Sequence, residues 1–182
     1  MSQNLKMNFK LPCFSTAGEG VSLSDLLPSK ADDAGSVRDT QIADGIRRGV
    51  STFVSKGLGA VSLAEFSLAN DRRADLMVLL PDGSFWLIEI KSSRQDFLSD
   101  SKWQSYLEYC DWYSFAVSPE FPIELLPDDE GLILADAFGA EVMRPAQSRK
   151  MSAARRKAVT TRFARTAAKR LEHLTLKGGN SD

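Results

Sequence analysis

The sequence is poor in histidine and cysteine. Its 182 residues contain one histidine, His173, and two cysteines, Cys13 and Cys110, which lie far apart without a Cys-x-x-Cys motif. The single histidine argues against a histidine-rich zinc site and against a His-based catalytic triad. The isolated cysteines indicate neither a zinc knuckle nor a disulfide framework. We therefore expect a reducing, cytoplasmic setting.

Long hydrophobic runs are also missing. The first twenty residues contain no apolar run of signal-peptide length, and the longest runs elsewhere, "LMVLL" and "LILA", are only as long as a strand. No Gly-x-x-x-x-Gly-Lys-Ser/Thr loop is present, so P-loop NTPase activity is not indicated. With 43% hydrophobic and 26% charged residues, the composition is typical of a globular protein. The sequence therefore predicts neither export nor a membrane span.

The patterning predicts one domain between a weakly periodic start and a short tail. Residues 1–36 contain breakers such as "TAGEG" and "LLPSK" and are expected to form an extended or partly disordered arm, with a short helix in "VSLSDLL". Residues 37–176 are expected to form the domain, including a basic C-terminal helix over about 152–176. Residues 177–182 are expected to form a flexible tail.

Within the domain, hydrophobic periodicity predicts alternating helices and strands. Ile42, Ile46, Val50 and Phe53 recur at helical spacing and precede three strand-like segments at 60–69, 73–80 and 85–91. A helix in "SDSKWQSYLEYC", a strand in "WYSFAVS" and a hairpin of "LILADA" with "AEVMR" follow. The core order α-β-β-β-α-β predicts an α/β (α+β) fold with a mixed central β-sheet flanked by helices.

Charge is divided unevenly along the chain. Residues 144–177 carry eleven lysines and arginines against one acid, whereas residues 1–143 have an excess of acids, and the net charge of the whole chain is −1. The basic end could bind an anionic partner or pack against the acidic body, and charge alone does not separate these readings.

The turn "LPDGS" decides where two acids of a predicted hairpin lie. A two-residue Asp82-Gly83 loop would place Asp75 and Glu89 on opposite faces of the sheet. A three-residue Pro81-Asp82-Gly83 loop would pair them across the strands. We favour the three-residue loop, because proline suits the first turn position and glycine suits a left-handed position that closes the loop.

In that register two carboxylates face each other, which is destabilising unless something neutralises them. Mg²⁺ or Mn²⁺ suits such a pair, and Lys91 on the same face would add a positive charge for a phosphate oxygen or an attacking water. The alternative is a solvated ion-pair patch of Glu89 with Lys91 or Arg73. The apolar surroundings in "LIEIK" favour the metal site.

These residues resemble a known family. Asp75 followed by Glu89-Ile90-Lys91 looks like the PD-(D/E)XK nuclease superfamily. The segments "EFSLANDRRADLM", "EIKSSRQDF", "KWQSYLEYCDWYSFAV" and "ADAFGAEVMR" are similar to the MmcB-family DNA repair proteins over roughly residues 40–171. The resemblance departs from the superfamily pattern at Ala74, where proline is usual, but that proline is not a ligand.

The resemblance implies a restriction-endonuclease-like core with a metal site. Asp75 and Glu89 would hold Mg²⁺ or Mn²⁺, the Ile90 backbone carbonyl would add a ligand, and Lys91 would be the catalytic lysine. The superfamily often adds an acid from its first helix, and we take Glu65 on the first strand as the candidate third carboxylate. Pairing of Glu65 with a nearby arginine is an equal alternative.

Basic residues outside this cluster are candidates for sequence-nonspecific phosphate contacts. They are Arg94, Lys102, Arg155, Arg162, Arg165 and Lys169. Trp103 and Tyr106 follow Lys102 and could stack on bases, although core packing is the commoner role of such residues.

We therefore expect a metal-dependent DNA nuclease, most simply an endonuclease, that acts in DNA repair and associates with the nucleoid. The alternative is a catalytically silent, nuclease-fold DNA-binding accessory protein in DNA repair. Other DNA repair proteins are further expected partners.

Overall fold

The structure, a computed structural model, describes residues 32–100 and 102–178. Residues 1–31 of the predicted arm, which include the helix expected in "VSLSDLL", lie outside the described residues. Residues 179–182 of the expected tail also lie outside them. The first helix begins at Asp32, earlier than its hydrophobic periodicity indicated. Within the described ranges, no helix is both long enough and apolar enough to cross a membrane.

Three helices and six strands form the described part of the chain. In chain order they are α1 (Asp32–Thr52), β1 (Val61–Ser67), β2 (Arg73–Leu79), β3 (Phe85–Lys91), α2 (Arg94–Ser99), β4 (Trp112–Val117), β5 (Gly131–Ala135), β6 (Ala140–Arg144) and α3 (Ala153–Gly178). A π-helical turn (Phe53–Gly57) extends α1, and 3-10 segments lie at Trp103–Tyr109 and Ile123–Leu125.

The strands form one mixed sheet in the order β1-β2-β3-β4-β5-β6. β3 and β4 pair in parallel, as do β4 and β5, while the other neighbours are antiparallel. The predicted mixed sheet flanked by helices is confirmed, and it is consistent with a restriction-endonuclease-like fold. The expected terminal hairpin is formed by β5 and β6.

The crossover from β3 to β4 differs from the prediction. The short helix α2 was not foreseen, and the helix expected around Trp103 is a 3-10 segment. In a 3-10 helix, residues three apart lie on one side. Trp103, Tyr106 and Tyr109 have that spacing and turn toward the core, where Trp103 stacks on Tyr113 with the ring centroids 5.5 Å apart. The three-residue spacing of these aromatic side chains suits a 3-10 segment.

Both faces of the sheet are covered, so β3 is buried along its whole length. Its side chains alternate between two cores. Phe85 and Leu87 pack with the 3-10 aromatics and Phe163 of α3. Trp86 and Ile88 pack on the opposite face against α1. Glu89 and Lys91 continue the first of these alternating sets, so the sheet carries the two charged side chains into its interior.

Candidate metal and nucleic-acid site

The β2–β3 hairpin closes with the predicted three-residue loop. Leu79 pairs with Phe85 and Leu76 with Ile88. The N–H of Leu80 donates to the Ser84 carbonyl at 2.9 Å, and Gly83 adopts a left-handed φ of 83°. This register is confirmed, and its continuation places Asp75 opposite Glu89.

On the N-terminal side of Leu76, away from the turn, the backbone pairing of β2 and β3 stops. The next ladder bond of an antiparallel pair would run from Ile90 to Ala74, but the recorded pairing ends at Leu76 and Ile88. Instead, the N–H of Ile90 donates to Asp75 Oδ2 at 2.8 Å. A carboxylate therefore takes the place of a backbone acceptor and holds the two strands together where they part. This bond fixes Asp75 beside the Glu89-Ile90-Lys91 segment.

Lys91 lies among acids. Its Nζ is 2.7 Å from Asp100 Oδ2 and 3.5 Å from Glu89 Oε1, and its side chain is only 4% exposed. Asp100 follows the last residue of α2, and sequence reasoning missed it. A signal was available, because Ser93 and Asp96 have the spacing of a helix-start motif. In the structure the Ser93 hydroxyl accepts a hydrogen bond from the Asp96 N–H, so α2 begins after Ser93. At the other end of this short helix, Asp100 lies next to Lys91.

Burial and crowding of carboxylates shift the pKa values of this cluster. Desolvation, and then the charge of Asp75, raise the pKa of Glu89 to about 8. Desolvation also raises the pKa of Asp75, against the opposing effects of the Ile90 N–H and the charges of Lys91 and Arg47. Burial lowers the pKa of Lys91, but Glu89 and Asp100 outweigh it and the net shift is upward. The cluster is therefore short of positive charge.

One oxygen of Glu89 fits a cation ligand. Oε2 is buried without a hydrogen-bond partner among the described residues, and such an atom is costly unless something binds it. Over residues 32–100 and 102–178, no group of three or more His, Cys, Asp or Glu side chains could hold a metal ion. A Mg²⁺ or Mn²⁺ ion would therefore use Asp75, Glu89 and backbone oxygen such as that of Ile90, together with water and substrate oxygens. The donor set fits an ion of this kind.

Glu65 lies in ion pairs rather than in a three-carboxylate cluster. Its Oε2 is 2.8 Å from Arg73, and its Oε1 is 3.8 Å from Arg47. Its backbone is left-handed, with φ 51°, which costs a non-glycine residue about 1–3 kcal/mol. Its recorded partners are therefore those of the ion-pair alternative, and a role as metal ligand stays a prediction.

The six predicted phosphate-binding residues divide into two groups. Arg155 pairs with Glu108 and lies over the Tyr109 ring, and Arg162 donates to the carbonyls of Ser67 and Leu68. These two arginines help to dock α3 on the body. The other four are exposed and show no side-chain hydrogen bond or ion pair to the described residues. They are Arg94, Lys102, Arg165 and Lys169.

Two hydrophobic predictions for this region had different outcomes. Tyr106 is buried and its hydroxyl donates to the Arg73 carbonyl at 3.1 Å, so the core-packing interpretation of this aromatic is confirmed. The helical spacing of Val159, Phe163, Ala167 and Leu174 predicts one face that docks α3 on the sheet, but Leu174 is 67% exposed. The prediction is wrong for Leu174, because the buried apolar side chains of α3, Val159 and Phe163, lie in its first half.

The sequence matches the family model described as DNA repair protein MmcB-like over residues 30–178. The chain belongs to the MmcB-like DNA repair protein family. The match spans the whole described sheet, the acidic cluster and α3. The family supports a role in DNA repair and therefore an interaction with DNA, and the mixed sheet of this MmcB-like chain is consistent with the PD-(D/E)XK superfamily.

A solved structure described as the SPO1766 protein of unknown function from Silicibacter pomeroyi is similar to this MmcB-like chain. The two are 47% identical with a TM-score of 0.72, and the similarity covers 78% of this chain and 96% of that one. Among proteins with curated descriptions, none matches.

Proposed function

We propose that this MmcB-like chain is a Mg²⁺- or Mn²⁺-dependent DNA nuclease, most simply an endonuclease, that hydrolyses phosphodiester bonds in DNA repair. The observation that carries the proposal is the cluster of partly buried Asp75 with buried Glu89 and Lys91, in which Glu89 Oε2 has no hydrogen-bond partner among the described residues. Burying an unpaired carboxylate oxygen is costly, and a cation bound by Glu89 Oε2 would remove that cost.

The residues of the cluster have separable tasks. A divalent cation would supply Lewis-acid polarisation of the phosphate and a more acidic bound water. Asp75 and Glu89 would hold that ion, and the bond from the Ile90 N–H orients Asp75. Lys91 Nζ brings a compact positive charge to the cluster and would contact a non-bridging phosphate oxygen. Asp100 orients Lys91 in the free protein.

A second candidate function is a catalytically silent, nuclease-fold DNA-binding accessory protein. The specific observation that favours it is the contact of Lys91 with Asp100, because a lysine held by a carboxylate at 2.7 Å is not free to contact phosphate. Without a third carboxylate in the described ranges, metal affinity would also be modest.

Cleavage assays test the proposal. The purified protein is incubated with Mg²⁺ or Mn²⁺ and plasmid, single-stranded, gapped or branched DNA. We expect cleavage of at least one substrate, and Asp75→Asn and Lys91→Ala should each reduce it at least about a hundredfold. Asp128→Asn is the matched control, because that aspartate is fully exposed and, within residues 32–100 and 102–178, pairs only with Arg144, at 3.4 Å.

Calorimetry with Mn²⁺ separates the two functions. The nuclease requires Mn²⁺ binding that is lost in Asp75→Asn. Retained DNA binding without metal binding at millimolar concentration would favour the accessory protein. Cleavage that persists unchanged in Asp75→Asn and Lys91→Ala would instead overturn the catalytic assignment of these two residues.

A further inference from the structure

Arg47 and Arg73 converge on one carboxylate at the edge of the acidic cluster. Arg47 comes from α1 and Arg73 from the start of β2, so two separate elements bring the guanidinium groups together. Glu65 lies between them, with its two oxygens 3.8 Å and 2.8 Å from the arginine nitrogens. From the sequence, Arg73 was considered only as an ion-pair partner, and Arg47 had no assigned role.

Glu65 is held by the arginines in an unusual backbone conformation. Its φ of 51° interrupts β1, and the strand pairing skips it between Ala64 and Phe66. Irregularities of this kind redirect a side chain. Leu63 and Phe66 pack in the same core although they are three positions apart in the strand, so the alternation of side chains changes between them, next to Glu65. Its side chain stays 43% exposed and is not locked by packing.

Arg47 retains unused hydrogen-bonding capacity. Its Nη1 binds Asp44 at 2.6 Å, whereas its Nε is buried and has no acceptor among the described residues. Glu65 approaches Arg47 only to 3.8 Å, so it satisfies this guanidinium poorly. The two non-bridging oxygens of a DNA phosphodiester match the planar fork of arginine.

The position of the arginine pair suits DNA held in the proposed nuclease site. Arg73 lies two residues before Asp75 on β2, and the positive charge of Arg47 acts on Asp75. Arg170 of α3 donates to the Glu65 carbonyl at 3.1 Å, which adds a third positive charge at this edge. A DNA backbone that passes the Asp75–Glu89 cluster would therefore meet these arginines with a neighbouring phosphate.

We propose that Arg47 and Arg73 form a binding site for a DNA backbone phosphate next to the one held at Asp75 and Glu89, and that Glu65 occupies this site in the free protein. When DNA binds, one phosphate replaces one carboxylate, so the arginines keep an anionic partner and Glu65 turns to solvent. The inference rests on the proposed function only for the identity of the ligand and does not require cleavage.

DNA binding measured in EDTA tests this site without any contribution from catalysis or metal. The probes are a short fluorescein-labelled DNA duplex and its single strand, followed by anisotropy. Glu65→Gln should tighten binding about two- to fivefold, which is the value of one exposed ion pair. Arg73→Gln should weaken it by a similar factor and reduce the salt slope by about one. Arg47→Gln should act in the same direction, with thermal unfolding to show that the variant is folded.

The double variant distinguishes the site from a general charge effect. In the Arg73→Gln background, the gain from Glu65→Gln should largely disappear. Asp128→Asn removes one negative charge from an exposed loop before β5 and should change affinity less than Glu65→Gln. Unchanged or weaker DNA binding in Glu65→Gln would overturn the inference, as would a gain that persists in the double variant.

Metal binding provides the last discrimination. Mn²⁺ affinity, measured by calorimetry, should be the same in Glu65→Gln as in the unaltered chain. A large loss of Mn²⁺ affinity would make Glu65 a metal ligand and overturn the inference. Loss of cleavage in Lys91→Ala, or the absence of any cleavage, bears only on the nuclease proposal. The phosphate site at Arg47 and Arg73 is tested by the DNA-binding and Mn²⁺-binding measurements alone.

Discussion

Lys91 Nζ lies 2.7 Å from Asp100 and 3.5 Å from Glu89, so the acid outside the sequence motif is its nearer partner. The Asp100 side chain is itself mostly buried, and its other oxygen accepts the Lys102 N–H at 3.3 Å. Asp100 is therefore a positioning residue: it orients the lysine, keeps it charged and competes with any phosphate that approaches.

The first prediction is that Asp100→Asn lowers the pKa of Lys91. Burial lowers this pKa, and without the Asp100 charge only Glu89 and the weaker effect of Asp96 oppose it. The Lys91 amine should then react faster with an acylating reagent at neutral pH, as measured by peptide mass spectrometry. Exposed Lys102 is the internal control within the same protein. Equal Lys91 reactivity in both proteins would contradict the positioning role.

If the protein cleaves DNA, Asp100→Asn should also move the pH profile of cleavage. The alkaline limb, which reports loss of the Lys91 proton, should shift to lower pH, whereas simple misfolding would lower the rate at every pH.

The second prediction concerns the attachment of α3. Asp111 is buried and accepts the Phe85 N–H at 2.8 Å, while Arg156 contacts both of its oxygens at 2.9 and 2.5 Å. Arg156→Ala would leave this carboxylate buried without its cation, so the free energy of unfolding should fall by about 3 kcal/mol. Urea denaturation measures the change.

The adjacent arginine offers a matched control. Arg155 pairs with Glu108, which is half exposed, so Arg155→Ala should cost only about 1 kcal/mol. Equal losses for Arg155→Ala and Arg156→Ala would show that the buried Asp111 pair does not anchor the helix.

The third prediction tests the hairpin turn. At Gly83, φ is 83° and an added Cβ would meet no atom within 4 Å, so a side chain there is disfavoured by backbone conformation and not by crowding. Gly83→Ala should destabilise the protein by about 1 kcal/mol, and Gly83→Asn by less, because asparagine tolerates left-handed conformations. Thermal unfolding measures both, and a larger loss in Gly83→Asn would argue against this explanation.

Local chemistry was enough to predict the hairpin register that brings Asp75 and Glu89 opposite each other. Proline, aspartate and glycine each take the turn position that their backbone preferences indicate, and Asp82 also accepts the Ser84 N–H and hydroxyl. Since a strand has a two-residue period, that turn determined which face Glu89 and Lys91 would share. The order of strands and the first helix followed from hydrophobic periodicity in the same way.

Features that depend on distant contacts were not predictable. The left-handed backbone of Glu65 accompanies ion pairs with residues from two other elements, and nothing in "LAEFS" indicates it. Helical spacing placed Arg155 and Arg162 in one basic stripe, but it could not show that Glu108 and the Ser67 carbonyl would engage them. The contact of Asp100 with Lys91 depends on the length of α2, which ends at Ser99 and so places Asp100 beside the lysine.

The last prediction is a pH-dependent stability that originates at Glu89. Its pKa is about 8 in the folded protein against 4.5 for an ordinary glutamate. Between these two pH values the unfolded chain has lost a proton that the folded chain keeps, so folding takes up a proton. The contribution of Glu89 is therefore fully present below about pH 4.5 and is lost as the pH rises through about 8.

Glu89→Gln isolates this effect because glutamine does not titrate. The unfolding free energy of the original chain minus that of Glu89→Gln should fall steadily between about pH 4.5 and 8 in EDTA. Mn²⁺ should oppose the fall, and its stabilising effect should grow with pH because the ion binds the deprotonated carboxylate. A difference that stays constant with pH would show that Glu89 is not the titrating group. Mn²⁺ stabilisation that survives in Glu89→Gln would show that Glu89 is not a metal ligand.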